Sequence, residues 1–351
     1  MSSSKRRSRT KESDRFRILM YSAKDYDRQS FENKFNELKQ PGNYQMEYTS
    51  QCLSKDTVKL AENYQCICIF VNDDCSREIL EQLKTIGIQL IVLRCAGFNN
   101  LDLKFANDSG IEVGYVPSYS PNAVAEHAAA LVMTLNRRLH RAYDRVRNGD
   151  FRLDGLVGFD MNERTVGILG TGRIGQFMIR IFRGFGCRII AYDIYKIKDE
   201  DRKKLDFEYV ELDEIFSQSD IISLHLPLDP KTKHMINSES IRKMKKGVII
   251  VNTARGALID TKALIDGLKS GQIGGAGLDV YENEQKYFFN DCSSTMIDDD
   301  QLVQLISFPN VLITSHQAFL TQEALCSIAK STLENIYSFI TTGKPVNTPK
   351  V

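Results

Sequence analysis

The 351-residue sequence has almost no net charge and no long apolar run. Its 46 lysines and arginines balance 45 aspartates and glutamates, which argues against nucleic acid as an obligate partner. No apolar run approaches the ~18 residues that span a bilayer, so no membrane association is expected. A hydrophobic content of 42% and a charged content of 26% are typical of a soluble globular protein.

Paired cysteine motifs are also missing. The eight cysteines include no C-x-x-C pair, and there is no secretory apolar segment. We therefore expect reduced thiols in a cytoplasmic protein. Cys66 and Cys68 alternate along an expected strand and would face opposite sides, so they cannot share one metal, and no metal site is expected.

The first fifteen residues, MSSSKRRSRTKESDR, are polar and basic. We interpret residues 1–15 as a disordered basic tail. A nuclear or organellar address within SKRRSR is the alternative.

The most informative stretch runs from residue 165 to residue 193, TVGILGTGRIGQFMIRIFRGFGCRIIAYD. An apolar strand precedes G-x-G-x-x-G, a helix and a second strand that ends in Asp193. Gly170 permits a tight turn, Gly172 admits a pyrophosphate, and Gly175 lets the helix pack closely on the strand. Asp193 lies about 20 residues after the last glycine, where a carboxylate binds the ribose hydroxyls and repels a 2′-phosphate. The pattern predicts a dinucleotide site that prefers NAD to NADP.

Strands alternate with helices on both sides of this stretch, which predicts an α/β protein. We expect two Rossmann-like doubly wound domains with a cleft between them. A substrate (catalytic) domain would comprise residues 16–117 and 318–345, and would be discontinuous because the last helix follows a complete domain. The NAD-binding domain would comprise residues 118–317. One long helix is predicted from Pro121 to Gly149, with an apolar face that suits a domain junction or a subunit interface.

A proton donor is sought among the five histidines. His316 is the strongest candidate because it directly follows an expected strand, at the mouth of the cleft. Structural roles are favoured for His127 and His140 on the long helix. They are also favoured for His225 at a strand end and for His234 in a loop.

Charged residues follow two later strands. Arg255 ends VIIVNTARG, and its planar guanidinium suits bidentate binding of a carboxylate, with a salt bridge that holds the loop as the alternative. Asp279, Glu282 and Glu284 follow the strand within GGAGLDVYENE. A carboxylate against His316 would stabilise the protonated imidazole, and these residues alone leave the choice between Glu282 and Glu284 open.

Four motifs, GILGTGRIG, VNTARGALID, GLDVYENE and SHQAFLT, resemble in order and spacing those of the D-isomer-specific 2-hydroxyacid dehydrogenases, over roughly residues 16 to 340. Within that family the resemblance is greatest to the fermentative D-lactate enzymes. It implies that Arg255 binds the substrate, that Glu284 pairs with the histidine, and that His316 is the acid/base. Asp279 resembles the second acid of the family. For NAD, the resemblance together with the glycine pattern implies the following contacts: Gly170, Gly172, Arg173, Ile174, Gly175, Asp193, Leu226, Thr232, Thr253, Ala254, Arg255 and Asp279.

Three features favour pyruvate as the substrate. The loop RCAGFNN matches the D-lactate subgroup and would hold a carboxylate with N–H groups near Ala96 and Gly97. Tyr119 and Phe319 match aromatic residues that line the pocket, with ordinary core packing as the alternative for each. The segment between Glu284 and His316 is long, as in D-lactate enzymes. The resemblance therefore implies reversible, NAD-dependent reduction of pyruvate to D-lactate.

Two other functions stay open. One is a related D-2-hydroxyacid dehydrogenase that reduces hydroxypyruvate, glyoxylate or a larger 2-keto acid. The other is a corepressor-type binding protein that senses NAD(H), an idea that the basic tail supports and the lack of a long C-terminal extension opposes. The apolar face around Ala128–Leu135 indicates a subunit interface, and the resemblance implies pairing through the NAD-binding domain, so we expect a homodimer or a higher homo-oligomer.

Overall fold

The structure is a computed structural model that describes residues 15–38 and 44–350. The expected basic tail, apart from Arg15, lies outside the described residues. The chain forms two compact units, of which the second is Pro121–Leu320. The first combines the residues up to Ser120 with the segment that begins at Thr321.

Strands and helices alternate along the chain. In the first unit, up to Ser120, they are β1 (Phe16–Met20), α1 (Asp25–Leu38), β2 (Tyr44–Tyr48), β3 (Cys66–Ile69), α2 (Arg77–Ile86), β4 (Leu90–Leu93), α3 (Leu103–Asp108) and β5 (Glu112–Gly114). In the second unit they begin with α4 (Pro121–Arg137), α5 (Leu139–Arg147), β6 (Thr165–Leu169), α6 (Arg173–Gly184), β7 (Arg188–Tyr192), α7 (Asp199–Leu205), β8 (Glu208–Tyr209), α8 (Leu212–Gln218) and β9 (Ile221–Leu224). They continue with α9 (Ser238–Lys243), β10 (Val248–Asn252), α10 (Thr261–Ser270), β11 (Ile273–Leu278), α11 (Asp300–Ser307) and β12 (Val311–Ile313), and α12 (Gln322–Thr342) returns to the first unit.

The first unit contains a parallel sheet of five strands in the order β2-β1-β3-β4-β5. β3 (CICI) and β4 (LIVL) are buried at every residue, as required of strands covered by helices on both faces. α12 packs on α1 and β4, so the unit is discontinuous in sequence, as expected.

The second unit contains a parallel sheet of seven strands in the order β12-β11-β10-β9-β6-β7-β8. The strand order reverses between β6 and β9, and in such sheets ligands bind beyond the carboxyl ends of the strands at this point. Apolar residues form two clusters, which include Ile250 and Leu278 in one and Ile168 and Phe182 in the other. The expectation of an α/β protein with two Rossmann-like sheets is confirmed.

The prediction of one long helix is wrong. Two helices, α4 and α5, meet at Arg138, which has a left-handed φ of +50°. No glycine or proline marks the break, so the helical pattern of the sequence continues across it. The apolar face of α4 is covered within its own unit, where Leu131 and Leu135 pack against Gly277 of β11. Among the described residues, no helix is both long and apolar enough to cross a membrane.

Candidate active site

His316 and Glu284 form a hydrogen-bonded pair. His316 follows β12 and has a left-handed φ of +49°. Its Nδ1 lies 2.7 Å from Oε1 of Glu284, and the two side chains are only 18% and 20% exposed. The other carboxylate oxygen accepts the N–H of Tyr281 at 2.9 Å, which fixes the carboxylate. Because Nδ1 is held by Glu284, Nε2 is the ring nitrogen that can deliver a proton to a substrate.

Glu282 contacts a different histidine. Its Oε1 lies 2.6 Å from Nε2 of His234, and its Oε2 accepts the hydroxyl of Thr261 at 3.1 Å. His234 also has a left-handed φ, +51°. Sequence reasoning missed this second pair, because Glu282 comes 48 positions later and no local spacing marks it.

Asp279 anchors the loop that carries His316. This fully buried carboxylate follows β11. Its Oδ1 accepts the hydroxyl of Thr314 at 2.5 Å and the N–H of Gln317 at 2.8 Å, while Oδ2 accepts the N–H of Ala318 at 2.9 Å. The backbone carbonyl of Asp279 accepts the N–H of His316 at 2.8 Å. These bonds fix the Asp279 carboxylate to the loop. That Asp279 also contacts NAD stays a prediction.

His127 completes this network from α4. Its Nε2 lies 3.0 Å from Oγ1 of Thr314 and 3.4 Å from Oδ1 of Asp279. Burial raises the pKa of Asp279, but the hydrogen bonds from His127 and Thr314 lower it. The N–H of Ala318 and the charge of His316 lower it further, so the pKa lies below its usual value and the carboxyl is ionised.

The other two histidines lie in ordinary structural surroundings. Burial lowers the pKa of His225 to about 4, so its ring is neutral, and its Nε2 lies 2.9 Å from Oγ of Ser223. Nε2 of His140 lies 3.1 Å from the carbonyl oxygen of Pro309.

Arg255 follows β10 and is half-buried. Its Nη1 donates to the carbonyl of Ala254 at 2.7 Å, and within residues 15–38 and 44–350 no carboxylate pairs with it. The next residue, Gly256, packs directly on the chain that leads to Glu284. A Cβ on Gly256 would lie 2.1 Å from the carbonyl carbon of Tyr281. The guanidinium thus has no carboxylate partner in the described chain, and its neighbour Gly256 lies beside the segment that leads to Glu284.

The glycine turn after β6 forms an open cradle. Gly170 has φ +99°, and a Cβ there would lie 2.7 Å from the carbonyl oxygen of His225. A Cβ on Gly175 would lie 2.0 Å from the carbonyl oxygen of Gly170, so helix α6 can approach β6 only with glycine. Gly172 caps α6 without a side-chain hydrogen bond, and a Cβ there would meet nothing within 4 Å. The helix N-terminus therefore faces open space, as a pyrophosphate requires.

Two further features fit a dinucleotide at this edge. Asp193 follows β7, and its Oδ2 accepts the N–H of Thr171 at 2.6 Å while Oδ1 accepts the N–H of Tyr195 at 2.9 Å. The carboxylate thereby braces the glycine turn. Thr253, just after β10, has a buried Oγ1 for which the described part of the chain supplies no hydrogen-bond partner. A bound polar ligand would satisfy it.

The remaining predicted cofactor residues differ in how they are held. Arg173 and Ile174 begin α6. Leu226 is buried against the glycine turn, 3.1 Å from the position of a Cβ on Gly170. Thr232 uses its hydroxyl to donate to the carbonyl of Pro227 at 2.8 Å. The N–H of Ala254 donates to Oδ1 of Asn252. That these five residues contact NAD stays a prediction.

In the first unit, the loop of residues 95–100 follows β4 and begins at a fully buried arginine, Arg94. Its Nε lies 3.2 Å from Oδ1 of Asp27, and its Nη1 and Nη2 donate to the carbonyls of Tyr21 and Ser22 at 3.1 and 2.8 Å. The guanidinium carbon lies 4.6 Å from the ring centroid of Phe70. No local pattern marks Arg94, since the partners of its hydrogen bonds lie some 70 positions away.

The far end of this loop is also tied. Nδ2 of Asn100 donates to the carbonyls of Phe70 and Asp73, both at 2.8 Å. Between the two anchors, the predicted substrate residues Ala96 and Gly97 are partly exposed. These two residues are therefore partly exposed, in a loop whose two ends are held by contacts within the same unit.

The two predicted aromatic pocket residues fall in different units. Tyr119 is half-buried in the first, and Phe319 is 6% exposed in the second. Their contact with a substrate stays a prediction.

Residues 129–318 match the sequence profile of the D-isomer specific 2-hydroxyacid dehydrogenase, NAD binding domain. The chain belongs to the D-isomer specific 2-hydroxyacid dehydrogenase family. The resemblance found in the four motifs is thereby confirmed, and NAD is the cofactor of its second unit.

Relatives in this family match nearly the whole chain. A 2-hydroxyacid dehydrogenase homolog of Haemophilus influenzae is 52% identical over 92% of this chain and 95% of its own. D-lactate dehydrogenase of Escherichia coli is 48% identical over 91% of this chain and 95% of its own. The solved structure of the pyruvate reductase of Chlamydomonas reinhardtii superposes with a TM-score of 0.87 at 43% identity, covering 95% of this chain and 99% of that one.

Proposed function

We propose that this protein is an NAD-dependent D-lactate dehydrogenase that reversibly reduces pyruvate to D-lactate. The 2.7 Å pair between His316 and Glu284 carries the proposal, because it holds a proton donor in place. Arg255, which has no carboxylate partner in the described chain, supplies a cation for the carboxylate of the substrate. Identity to a D-lactate dehydrogenase and to a pyruvate reductase over almost the full length supports the substrate.

His316, Glu284 and Arg255 each have a separate role in the reduction of the ketone. When bound, NADH would supply the hydride that adds to C2 of pyruvate. Nε2 of His316 donates a proton to the developing alkoxide oxygen, and the charge of Glu284 stabilises the imidazole while it is protonated. Arg255 binds the substrate carboxylate with its planar fork and helps to polarise the ketone.

The cofactor is held by the glycine cradle and by β-strand ends. Gly170, Gly172 and the first residues of α6 hold the pyrophosphate, and Asp193 holds the ribose. Thr253 offers its buried hydroxyl to the cofactor.

Four residues predicted from the family resemblance would set the size of the substrate. N–H groups near Ala96 and Gly97 bind the carboxylate, and Tyr119 and Phe319 leave space for a methyl group but not for a large side chain. Fast reduction of larger keto acids would contradict this assignment.

We also propose a cytoplasmic homo-oligomer. Large apolar side chains are exposed on α5 and in the segment after it, among them Tyr143, Phe151 and Val157, and a second subunit would cover them. Sedimentation at micromolar concentration tests this, and a monomer would contradict it.

One assay tests the function. NADH oxidation is measured with pyruvate, hydroxypyruvate, glyoxylate and branched and aromatic 2-keto acids, and the chirality of the lactate is determined. We expect the highest kcat/KM with pyruvate, a D product and little activity with NADPH. A higher kcat/KM with another keto acid would assign the chain to a different enzyme of the family. NADH binding without reduction of any keto acid would indicate the NAD(H)-sensing binding protein.

A further inference from the structure

The ring of Phe289 makes a tilted contact with the imidazole of His316. The ring centroids are 5.9 Å apart and the planes are inclined by 36°. The backbone N–H of Phe289 donates to Oγ of Ser315, the residue before the histidine, at 3.2 Å. Side chain and backbone of Phe289 thus both contact the loop that carries the acid/base.

Both members of this contact have an unusual backbone. Phe289 has φ +67° and His316 has φ +49°, in the left-handed region that residues with a Cβ rarely adopt. For a bulky aromatic residue this conformation is unfavourable, and it persists only where the surrounding structure holds it. Such residues are concentrated at functional sites.

The turn that carries Phe289 also carries Glu284. The carbonyl of Glu284 accepts the N–H of Tyr287 at 3.0 Å and that of Phe288 at 2.9 Å, which makes residues 284–289 compact. This one turn therefore contacts His316 twice, with a carboxylate at Nδ1 and with a phenyl ring tilted against the imidazole.

The two contacts restrict different motions. A single hydrogen bond at Nδ1 fixes the distance and direction of that atom, but the ring can still rock about the bond. A phenyl ring against the imidazole opposes this rocking, because aromatic pairs at this spacing have preferred orientations. Proton transfer depends on a hydrogen-bond geometry, so an imidazole held in one orientation keeps Nε2 in one place.

We propose that Phe289 is a positioning residue that holds the imidazole of His316 in the orientation for proton transfer. This inference rests on the proposed function of His316 as acid/base. It assigns Phe289 no contact with the substrate or the cofactor.

Three substitutions of Phe289 separate the effect of its ring from the effect of its strained backbone. We expect Phe289→Ala to lower kcat with pyruvate roughly 5- to 10-fold, with an unchanged Kd for NADH. Phe289→Tyr keeps the ring and should retain kcat within about twofold. Phe289→Gly relaxes the backbone and lacks the ring, so it should be as slow as the alanine variant. Full kcat in either ringless variant would overturn the proposal.

Tyr287→Ala is the matched control. Tyr287 lies in the same turn and packs on the same apolar cluster as Phe289, but its ring lies 5.3 Å from Nζ of Lys286. We expect this variant to lose as much thermal stability as Phe289→Ala while keeping kcat. An equal fall in kcat in both variants would reduce Phe289 to a packing residue and overturn the proposal.

A second measurement does not need turnover. With ¹³C-labelled histidine, the ring signals of His316 are assigned by their loss in His316→Asn. Phe289→Ala should shift them, because a ring current is removed, and Tyr287→Ala should not. Unshifted signals in Phe289→Ala would overturn the proposal. If the wild type reduces no keto acid while these shifts occur, the proposed function fails but the contact stands.

Discussion

Glu282 and Glu284 are two residues apart, yet each holds a different histidine. Oε1 of Glu282 lies 2.6 Å from Nε2 of His234, and Oε1 of Glu284 lies 2.7 Å from Nδ1 of His316. Glu282 contacts Nε2 of its histidine, whereas Glu284 contacts Nδ1. Of these two histidines, only His316 therefore has an Nε2 that its carboxylate does not occupy. Both pairs are partly buried, with His234 34% and His316 18% exposed, and they provide controls for each other.

Replacing each histidine by asparagine tests which pair does the chemistry. We expect His316→Asn to lower kcat with pyruvate and NADH by about 10² or more, because the proton donor is lost. His234→Asn should keep kcat within a few-fold. Steady-state kinetics checks both, and a near-normal rate in His316→Asn would show that the acid/base lies elsewhere.

Arg255→Lys tests the arginine as a substrate ligand. Lysine keeps the charge but loses the planar fork, so kcat/KM for pyruvate should fall roughly 10- to 100-fold. The Kd for NADH, measured by fluorescence, should stay the same. Arg242→Lys, an exposed position on α9, is the control. Equal kinetics in the two variants would rule out a carboxylate contact at Arg255.

Asp279→Asn tests the anchor of the His316 loop. An amide nitrogen cannot accept both sets of N–H and O–H donors, so the variant should lose about 1–3 kcal/mol of unfolding free energy at pH 7. The folded pKa of Asp279 is depressed, so its charge adds stability that is complete above the unfolded value of ~3.9 and is lost as pH falls through the lower folded value. Urea unfolding at several pH values should show the wild type approaching the variant below about pH 4. A pH-independent difference would mean that the charge is not involved.

Asp193→Ser tests the choice of cofactor. Removing the carboxylate removes its repulsion of a 2′-phosphate, so the ratio of kcat/KM for NADPH to that for NADH should rise roughly tenfold or more. Serine keeps an acceptor for the N–H of Thr171, which limits damage to the glycine turn. Asp199→Ser, on the exposed first turn of α7, should leave the ratio unchanged. An unaltered ratio in Asp193→Ser would place NAD selection elsewhere.

Features with local causes were predictable from the sequence. The glycine turn at Gly170 and the buried strands β3 and β4 follow from residue types at fixed spacing. The return of the last helix to the first unit followed from counting the elements that a Rossmann sheet needs. The break at Arg138 was not predictable, because an arginine in the left-handed region is set by the packing of the flanking helices and not by its own preference.

Features of the site that depend on distant contacts could not be predicted in the same way. The choice of Glu284 over Glu282 needed the motif spacing of the family, since both carboxylates follow the same strand. The contacts of His127 with Thr314 and of Phe289 with His316 join segments 187 and 27 positions apart, respectively, and no local pattern specifies them. The residues predicted to perform chemistry, and Glu284 beside His316, were thus visible in the sequence, but the contacts that His127 and Phe289 make were not.

The buried guanidinium of Arg94 bears on how a very small ligand can be recognised. Its bonds to Tyr21, Ser22 and Asp27, with those of Asn100, set the shape of residues 95–100 through contacts within one unit. The conformational entropy of that loop is therefore lost during folding and not at the moment of binding. If this loop binds the substrate as proposed, a three-carbon acid would offer it few contacts, and a rigid loop would let almost all of their free energy appear as affinity.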